Sequence, residues 1–243
     1  MGPEHKTSYS MLSHREAEKR LGFNLRTFDL HAISVTQMLA TADQEAKIQG
    51  LMGEEVKEAK ETVYGRIAEY LEGEGYPSDM NEDFTEANIN DLVFTVLIPV
   101  ISMFKRKTAQ NLCLKREKAI IVKDGEMSGN QQFVMVDLVG VNDRKFVFVV
   151  EAKNESLGEA KKLCLVTMKD IGEMNEGGVV YGFITTGEDW KMLRFDGTTF
   201  TQSESFSVLF HNMAKNKQRW MQEGSVVVDC IHATLRSGGF IVK

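Results

Sequence analysis

Two short apolar segments lie in the middle of the chain, and each carries an acid, one within the segment and one directly after it. The first covers residues 133 to 139 and includes Asp137, and the second covers residues 146 to 150 and is followed by Glu151-Ala152-Lys153. Segments this short and this rich in Val and Phe are typical of buried strands, and Asn142-Asp143-Arg144 between them predicts a turn. The sequence therefore predicts a β-hairpin that carries charged residues where a buried strand would normally have none.

Side chains alternate across a strand, so Glu151 and Lys153 are expected on the same face of the second strand. A tight turn near Asp143 is expected to bring Asp137 onto that face, one diagonal step from Glu151. Diagonal neighbours lie roughly 7 to 8 Å apart, so the two carboxylates could share one divalent ion. A lysine beside that ion would stabilise the negative charge of a reacting phosphate, or orient the attacking water. The pattern predicts a metal-dependent phosphodiesterase.

These residues and their order resemble the PD-(D/E)xK nuclease superfamily, also called restriction-endonuclease-like. Asp137 falls where the family has its first metal ligand, and Glu151 and Lys153 fall where it has the second ligand and the catalytic lysine. Val136-Asp137 replaces the Pro-Asp of the family name, a departure that the superfamily tolerates. The resemblance implies hydrolysis of phosphodiester bonds in DNA with Mg²⁺ or Mn²⁺, and the backbone carbonyl of Ala152 as a further metal ligand.

The resemblance also implies two accessory residues. Glu86, at the start of an apolar helix, falls where a family glutamate completes the metal site, although an acid in a first helical turn is also favoured by the helix dipole. Lys162, with Lys161 as its rival, falls where many members carry a Gln that faces the scissile phosphate. Both lysines also fit the exposed face of an amphipathic helix, and the sequence leaves the two interpretations open.

Two segments, residues 179 to 190 and 191 to 197, resemble the later strands of the nuclease-like domains of Crinkler-type effectors and related fungal and oomycete proteins. The resemblance covers residues 84 to 200. It implies the same fold and the same chemistry as the superfamily.

Charge and turn residues predict two parts of the chain: a helical, acidic N-terminal extension (1–80) and a nuclease-like domain (81–243). Residues 1 to 83 hold 16 Asp and Glu against 9 Lys and Arg, whereas residues 84 to 243 hold 19 against 20. Helices are expected over 10–22, 26–42 and 44–72, before a Gly and Pro cluster at 73–77. After residue 84 we expect a helix, strands near 117–123, at Asp137 and at Glu151, a helix over 157–174, strands over 179–186 and 190–195, a helix over 206–222 and a strand over 225–234. This order predicts an α/β fold with a mixed central sheet flanked by helices.

The net charge of −6 is unusual for a protein that binds nucleic acid, but the acidity belongs to the extension. The remaining chain has basic clusters that could line a groove for a nucleic-acid backbone: Lys105-Arg106-Lys107, Lys115-Arg116 with Lys118, Lys161-Lys162, and Lys215, Lys217 and Arg219. The expected partner is nucleic acid, with DNA favoured over RNA by the family's usual substrates. A homodimer and a protein partner for the N-terminal helices are both left open.

Several other classes of protein do not fit the sequence. The three cysteines are widely spaced and odd in number, which argues against a disulfide scaffold, and the five histidines have no zinc-ligand spacing. The longest apolar stretch, residues 92 to 104, is shorter than the ~20 residues of a membrane span, so we expect a buried helix and no membrane partner. No secretory signal is recognisable, and an intracellular location, cytoplasmic or nuclear, is expected.

A function of a different class is also open. The chain could be a catalytically inactive nuclease-like fold that acts as an effector module and binds nucleic acid or protein, or a helical interaction protein with an incidental α/β domain. The retention of two carboxylates and a lysine favours the enzyme, whereas the near-neutral charge of residues 84 to 243 favours the binding module.

Overall fold

The computed structural model describes residues 7–48, 56–77, 84–108, 110–121, 127–138, 144–153 and 157–238. Most of the predicted hairpin turn, residues 142 and 143, lies outside this part of the chain. The helices are α1 (His14–Leu21), α2 (Leu25–Asp29), α3 (Val35–Ile48), α4 (Lys57–Glu74), α5 (Glu86–Thr108), α6 (Leu157–Met174), α7 (Lys217–Gln222) and α8 (Val226–Ser237).

The described strands form one mixed sheet. They are β1 (Thr7–Ser8), β2 (Ala32–Ile33), β3 (Leu112–Ile121), β4 (Met127–Leu138), β5 (Arg144–Ala152), β6 (Val180–Thr185), β7 (Asp189–Phe195), β8 (Phe200–Ser203) and β9 (Phe206–Ser207). β4 is antiparallel to both of its neighbours β3 and β5, α6 connects β5 to its parallel neighbour β6, and β7 and β8 continue antiparallel. The predicted α/β fold with a mixed sheet and flanking helices is confirmed.

Helices cover both faces of the sheet because the strands are apolar on both sides. On one face, α6 and α1 pack over strand residues such as Val149 and Ile184. On the other face, α3, α4, α5 and α8 enclose the larger core, which includes Phe148 and Phe183. Such two-sided burial explains the near-continuous apolar sequence of β5 and β6.

The N-terminal segment takes part in both of these layers. β1 pairs with β4, and β2 pairs with β8, so the segment adds strands to the sheet. α1 packs on α6, α3 packs on α8, and α4 packs on α5. α1 is fixed at its start by a capping box between Ser13 and Glu16, and at its end by Gly22 in the left-handed conformation, with φ of 86°.

Several predicted elements agree with the structure, and three do not. The predicted single helix over 26–42 is wrong, because the strand β2 separates α2 from α3 within it. The helix over 157–174 and the strands near 179–186 and 190–195 are confirmed. The predicted helix over 206–222 is wrong, because only α7 and a short 3-10 turn are helical there and β9 occupies its start. The predicted strand over 225–234 is also wrong, because that segment is the buried helix α8.

One described helix, α5, is long and apolar enough to cross a membrane. Its most apolar window is 56% buried inside the protein, as in the core helix of a soluble protein. Pro99 lies within it. The first residue of α5 is Glu86, so this helix delivers that carboxylate to one end of the sheet.

Candidate active site

The register of the β4–β5 hairpin separates Asp137 from Glu151. Asp137 pairs with Lys145, close to the turn, whereas Phe133 pairs with Val150 at the other end of the hairpin. Glu151 lies six positions further along β5 than Lys145, the partner of Asp137, which corresponds to about 20 Å along the strand. The prediction that Asp137 lies one diagonal step from Glu151 is therefore wrong, and Asp137 and Glu151 cannot hold the same metal ion.

The physical reason is the direction of the hairpin. In an antiparallel pair the last residues of one strand face the first residues of the next, and Asp137 is near the end of β4 while Glu151 is near the end of β5. Because Phe133 pairs with Val150, the residues of β4 at the level of Glu151 and beyond are those before Phe133. Their sequence is Gly129-Asn130-Gln131-Gln132, which contains no acid. Asp137 itself is half-buried, and this burial raises its pKa.

Glu86, Glu151 and Lys153 do come together, at the end of the sheet where β5 and β6 finish. The Nζ of Lys153 donates to Oε1 of Glu86 at 2.8 Å. Both side chains also influence the pKa of the Glu151 carboxyl: the positive charge of Lys153 lowers it and the negative charge of Glu86 raises it. The backbone N–H of Lys153 donates to the carbonyl of Thr185 at 2.9 Å, so the β5–β6 pairing extends to this lysine and fixes its backbone.

Glu151 is the buried member of this group. Its side chain is 2% exposed, and burial raises its pKa to about 8, with a smaller raising effect from Glu86 and an opposing effect from Lys153. Its Oε1 atom is buried without a hydrogen-bond partner among the described residues. An unsatisfied buried carboxyl oxygen is costly and uncommon, and it is typical of sites that bind a ligand or a proton.

α6 covers the face of the sheet on which Glu151 lies. Burial and the Glu151 carboxylate both raise the pKa of the Cys164 thiol, so these two side chains are near neighbours. The close approach of α6 depends on Gly182 in β6. A Cβ atom at that position would lie 2.6 Å or less from the sulfur atoms of Cys164 and Met168.

The two lysines of α6 lie at the same end of the sheet but are bonded to other partners. Lys162 is 3% exposed, donates to the carbonyl of Leu12 at 2.6 Å and pairs with Glu159. Lys161 is 5% exposed and pairs with Asp29. The interpretation that they form an exposed helix face is wrong, because the N-terminal segment buries both. The contacts of Lys162 do not include Glu86, Glu151 or Lys153, so its role at the scissile phosphate stays a prediction.

The metal-ligand groups at this site suit an ion that keeps part of its water shell better than an ion coordinated entirely by protein atoms. Among the described residues no three His, Cys, Asp or Glu side chains are arranged to hold a metal ion. Glu86 and Glu151 supply two carboxylates, and the backbone carbonyl of Ala152 lies between Glu151 and Lys153 in the chain. Mg²⁺ is commonly held by one or two carboxylates and completes its shell with water and substrate phosphate. The two glutamates therefore suit a metal that binds together with its substrate.

Sequence reasoning missed Lys191, a residue that shares this face of the sheet. In register, Glu151 pairs with Ile184 and Ile184 pairs with Lys191, so the three residues form one row across β5, β6 and β7. Nothing in the local sequence around Lys191 indicates this, because the row exists only through strand pairing.

No protein-family model matches the chain, and no curated protein matches it either. The resemblance to the PD-(D/E)xK superfamily stays a prediction from the residues themselves.

Proposed function

We propose that this protein is a metal-dependent nuclease that hydrolyses phosphodiester bonds in DNA, with its active site at Glu86, Glu151 and Lys153. The observation that carries the proposal is the convergence of these three side chains on one end of the sheet, with a buried carboxyl oxygen of Glu151 left without a hydrogen-bond partner. Glu86 is distant in sequence from the other two residues, because it comes from α5, whereas Glu151 lies in β5 and Lys153 directly follows that strand.

Each of the three residues has a role in this proposal. Glu86 and Glu151 would hold Mg²⁺ or Mn²⁺ with the carbonyl of Ala152, and such an ion stabilises charge on the phosphate and promotes ionisation of a bound water. Lys153 places its ammonium beside the carboxylates, where it can stabilise the negative charge that builds on the phosphate oxygens as water attacks and the bond to the leaving oxygen breaks. The Lys153–Glu86 ion pair orients the lysine.

Protonation of Glu151 limits this site at neutral pH. With a pKa of about 8, most of the carboxyl is protonated at pH 7, and only the ionised form is a metal ligand. We therefore expect metal affinity and cleavage to rise with pH up to about 8.

The test is cleavage of plasmid and linear DNA in Mg²⁺, in Mn²⁺ and in EDTA, with an RNA substrate in parallel. Glu151→Gln and Lys153→Met should remove activity while the protein stays folded. Asp137→Asn is the matched control, since it changes an acid of the same hairpin that lies about 20 Å along the strand, and it should stay active. An active Lys153→Met protein, or loss of activity only in Asp137→Asn, would contradict the proposed site.

A second function, an inactive nuclease-like module that binds nucleic acid or protein, is favoured by one specific observation. The hairpin register removes Asp137 from the site, so the full ligand set implied by the family resemblance is not assembled. This alternative predicts DNA binding without cleavage, and binding that is the same in Mg²⁺ and in EDTA. A metal-dependent cut that Glu151→Gln abolishes would exclude it.

A further inference from the structure

A cavity of about 310 Å³ lies where α1 and α2 meet the start of α6. It is separate from the three residues of the proposed active site. Six of the described residues line it: His14, Leu25, Arg26, Asp29, Gly158 and Lys161.

Among the described residues that line this cavity there are two basic side chains, Arg26 and Lys161, and one acid, Asp29. Lys161 is almost fully buried in the cavity wall, and Arg26 and His14 are exposed at its rim. Lys191 is not among these lining residues, but its charge interacts with that of Lys161. Burial lowers the pKa of Lys191, the positive charge of Lys161 lowers it further, and Asp29 opposes them. Two lysines whose positive charges repel each other in a partly buried place favour an anion near them.

The N-terminus of α6 adds to the positive charge around the cavity. Gly158 lines the cavity from the first turn of α6, an 18-residue helix. The N-terminus of a helix carries a partial positive charge and presents unpaired backbone N–H groups, which suit a phosphate. The helix end, the buried lysine and the cavity point to the same kind of ligand.

Asp29 occupies the position that such an anion would take. Its carboxylate pairs with Lys161, but its side chain is 52% exposed, so it can turn into water when a ligand enters. An acid from the protein then acts as an internal competitor, and ligand binding exchanges one anionic partner of Lys161 for another.

The cavity is close to the proposed active site along the sheet. Lys191 belongs to the row that starts at Glu151, and two strand spacings, about 10 Å, separate Lys191 from Glu151. Lys191, whose charge interacts with that of Lys161, and Glu151 therefore project from the same face of the sheet.

We propose that this cavity binds a phosphate group through Lys161 and Arg26, in competition with Asp29. If the proposed nuclease function holds, on which this second part rests, the phosphate belongs to the substrate chain beside the one that is cleaved. The cavity then sets the path of the nucleic-acid backbone across α6.

The first measurement is calorimetric titration of inorganic phosphate into the metal-free protein, with sodium chloride at matched ionic strength as the blank. Asp29→Asn removes the competitor and should tighten phosphate binding about tenfold, and Arg26→Gln should weaken it about tenfold, as expected for one charge-assisted hydrogen bond. Lys57→Gln is the matched control, because Lys57 is exposed on α4, which contributes none of the described residues that line this cavity. Equal affinities in the Asp29→Asn, Arg26→Gln and unmodified proteins would overturn the proposal.

A second measurement separates the two sources of phosphate and keeps this proposal distinct from the nuclease proposal. Displacement of bound phosphate by a short DNA oligonucleotide in EDTA would support a backbone phosphate, whereas phosphate that stays bound at saturating oligonucleotide would overturn the link to the substrate chain. Phosphate binding with the expected variant pattern but without DNA cleavage would leave the cavity assigned and reject the nuclease. DNA cleavage without any phosphate binding would support the nuclease and reject the phosphate site in the cavity.

Discussion

Replacement of the buried acid by its amide, Glu151→Gln, should change how the stability of the protein depends on pH. Burial raises the pKa of Glu151 from 4.5 to about 8, so between these values the folded protein holds a proton that the unfolded chain has released. The free energy of unfolding therefore falls as the pH rises through this window, by up to about 1.4 kcal/mol per pH unit. The glutamine variant has no such proton to lose.

The stability difference between the two proteins isolates this one group, since all other titrating residues are shared. Between pH 6 and pH 8 the variant should gain about 2 kcal/mol relative to the unmodified protein, because a pKa near 8 leaves little further loss above that pH. Below pH 5 the two stabilities should converge, apart from a constant offset from the amide.

Urea unfolding at pH 5, 6, 7 and 8, in EDTA and at constant ionic strength, measures this difference. Glu69→Gln, an exposed acid on α4, is the control and should show a constant offset across the series. A Glu151→Gln difference that is also constant with pH would refute the reasoning, because it would mean that Glu151 is ionised in the folded protein at pH 6. Saturating Mg²⁺ should reduce the loss of stability at pH 8 in the unmodified protein only.

Three further predictions concern packing and the site. Gly182→Ala should destabilise the protein by about 1 to 3 kcal/mol in urea unfolding, because the added methyl group collides with two sulfur atoms of α6; an unchanged midpoint would contradict the close approach of α6. Tyr9→Phe should cost about 1 to 3 kcal/mol, because it leaves the buried carboxylate of Asp170 without the tyrosine hydroxyl, and a loss below 0.5 kcal/mol would be inconsistent with that bond. Asp137→Asn should retain metal-dependent cleavage within about twofold in the plasmid assay, whereas a loss equal to that of Glu151→Gln would require a different hairpin register.

Local sequence was sufficient for the strand that carries the site. Five apolar residues followed by Glu151-Ala152-Lys153 predict a buried strand with a charged end, and β5 has this form, with every residue from Phe146 to Ala152 buried. The spacing of apolar residues likewise predicts α6, whose bounds agree with the expected helix over 157–174. Both elements are determined by their own periodicity and by turn residues at their ends.

The register between strands was not accessible in the same way. The last residue of β4, Leu138, pairs with the first residue of β5, Arg144, and a bulge or irregularity between Met135 and Val136 shifts the pairing further. Each of these features depends on tertiary packing, and a shift of pairing moves an acid from one end of the hairpin to the other. The sequence therefore predicts that Asp137 and Glu151 are on strands, but not that they lie apart.

α8 shows why an apolar run alone does not distinguish strand from helix. Val226-Val227-Val228 has strong β propensity, but the segment is buried among α3, α4 and α5 and forms a helix. A helix that is enclosed on nearly all sides has a continuous apolar sequence, so the usual amphipathic pattern is lost. Tertiary context overrides propensity here.

The charge asymmetry between the two parts of the chain has a structural explanation. Acids of the N-terminal segment pair with bases from the rest of the chain: Asp29 with Lys161, Asp43 with Arg236, Glu45 with Arg194 and Glu61 with Lys217. Three of these four pairs have at least one exposed partner, and exposed ion pairs contribute little to stability. In the proposed function two of the pairs matter more, because Lys161 and Lys217 are then less available to a nucleic-acid backbone. If the proposed phosphate site is correct, a phosphate group that binds Lys161 has to displace Asp29 first.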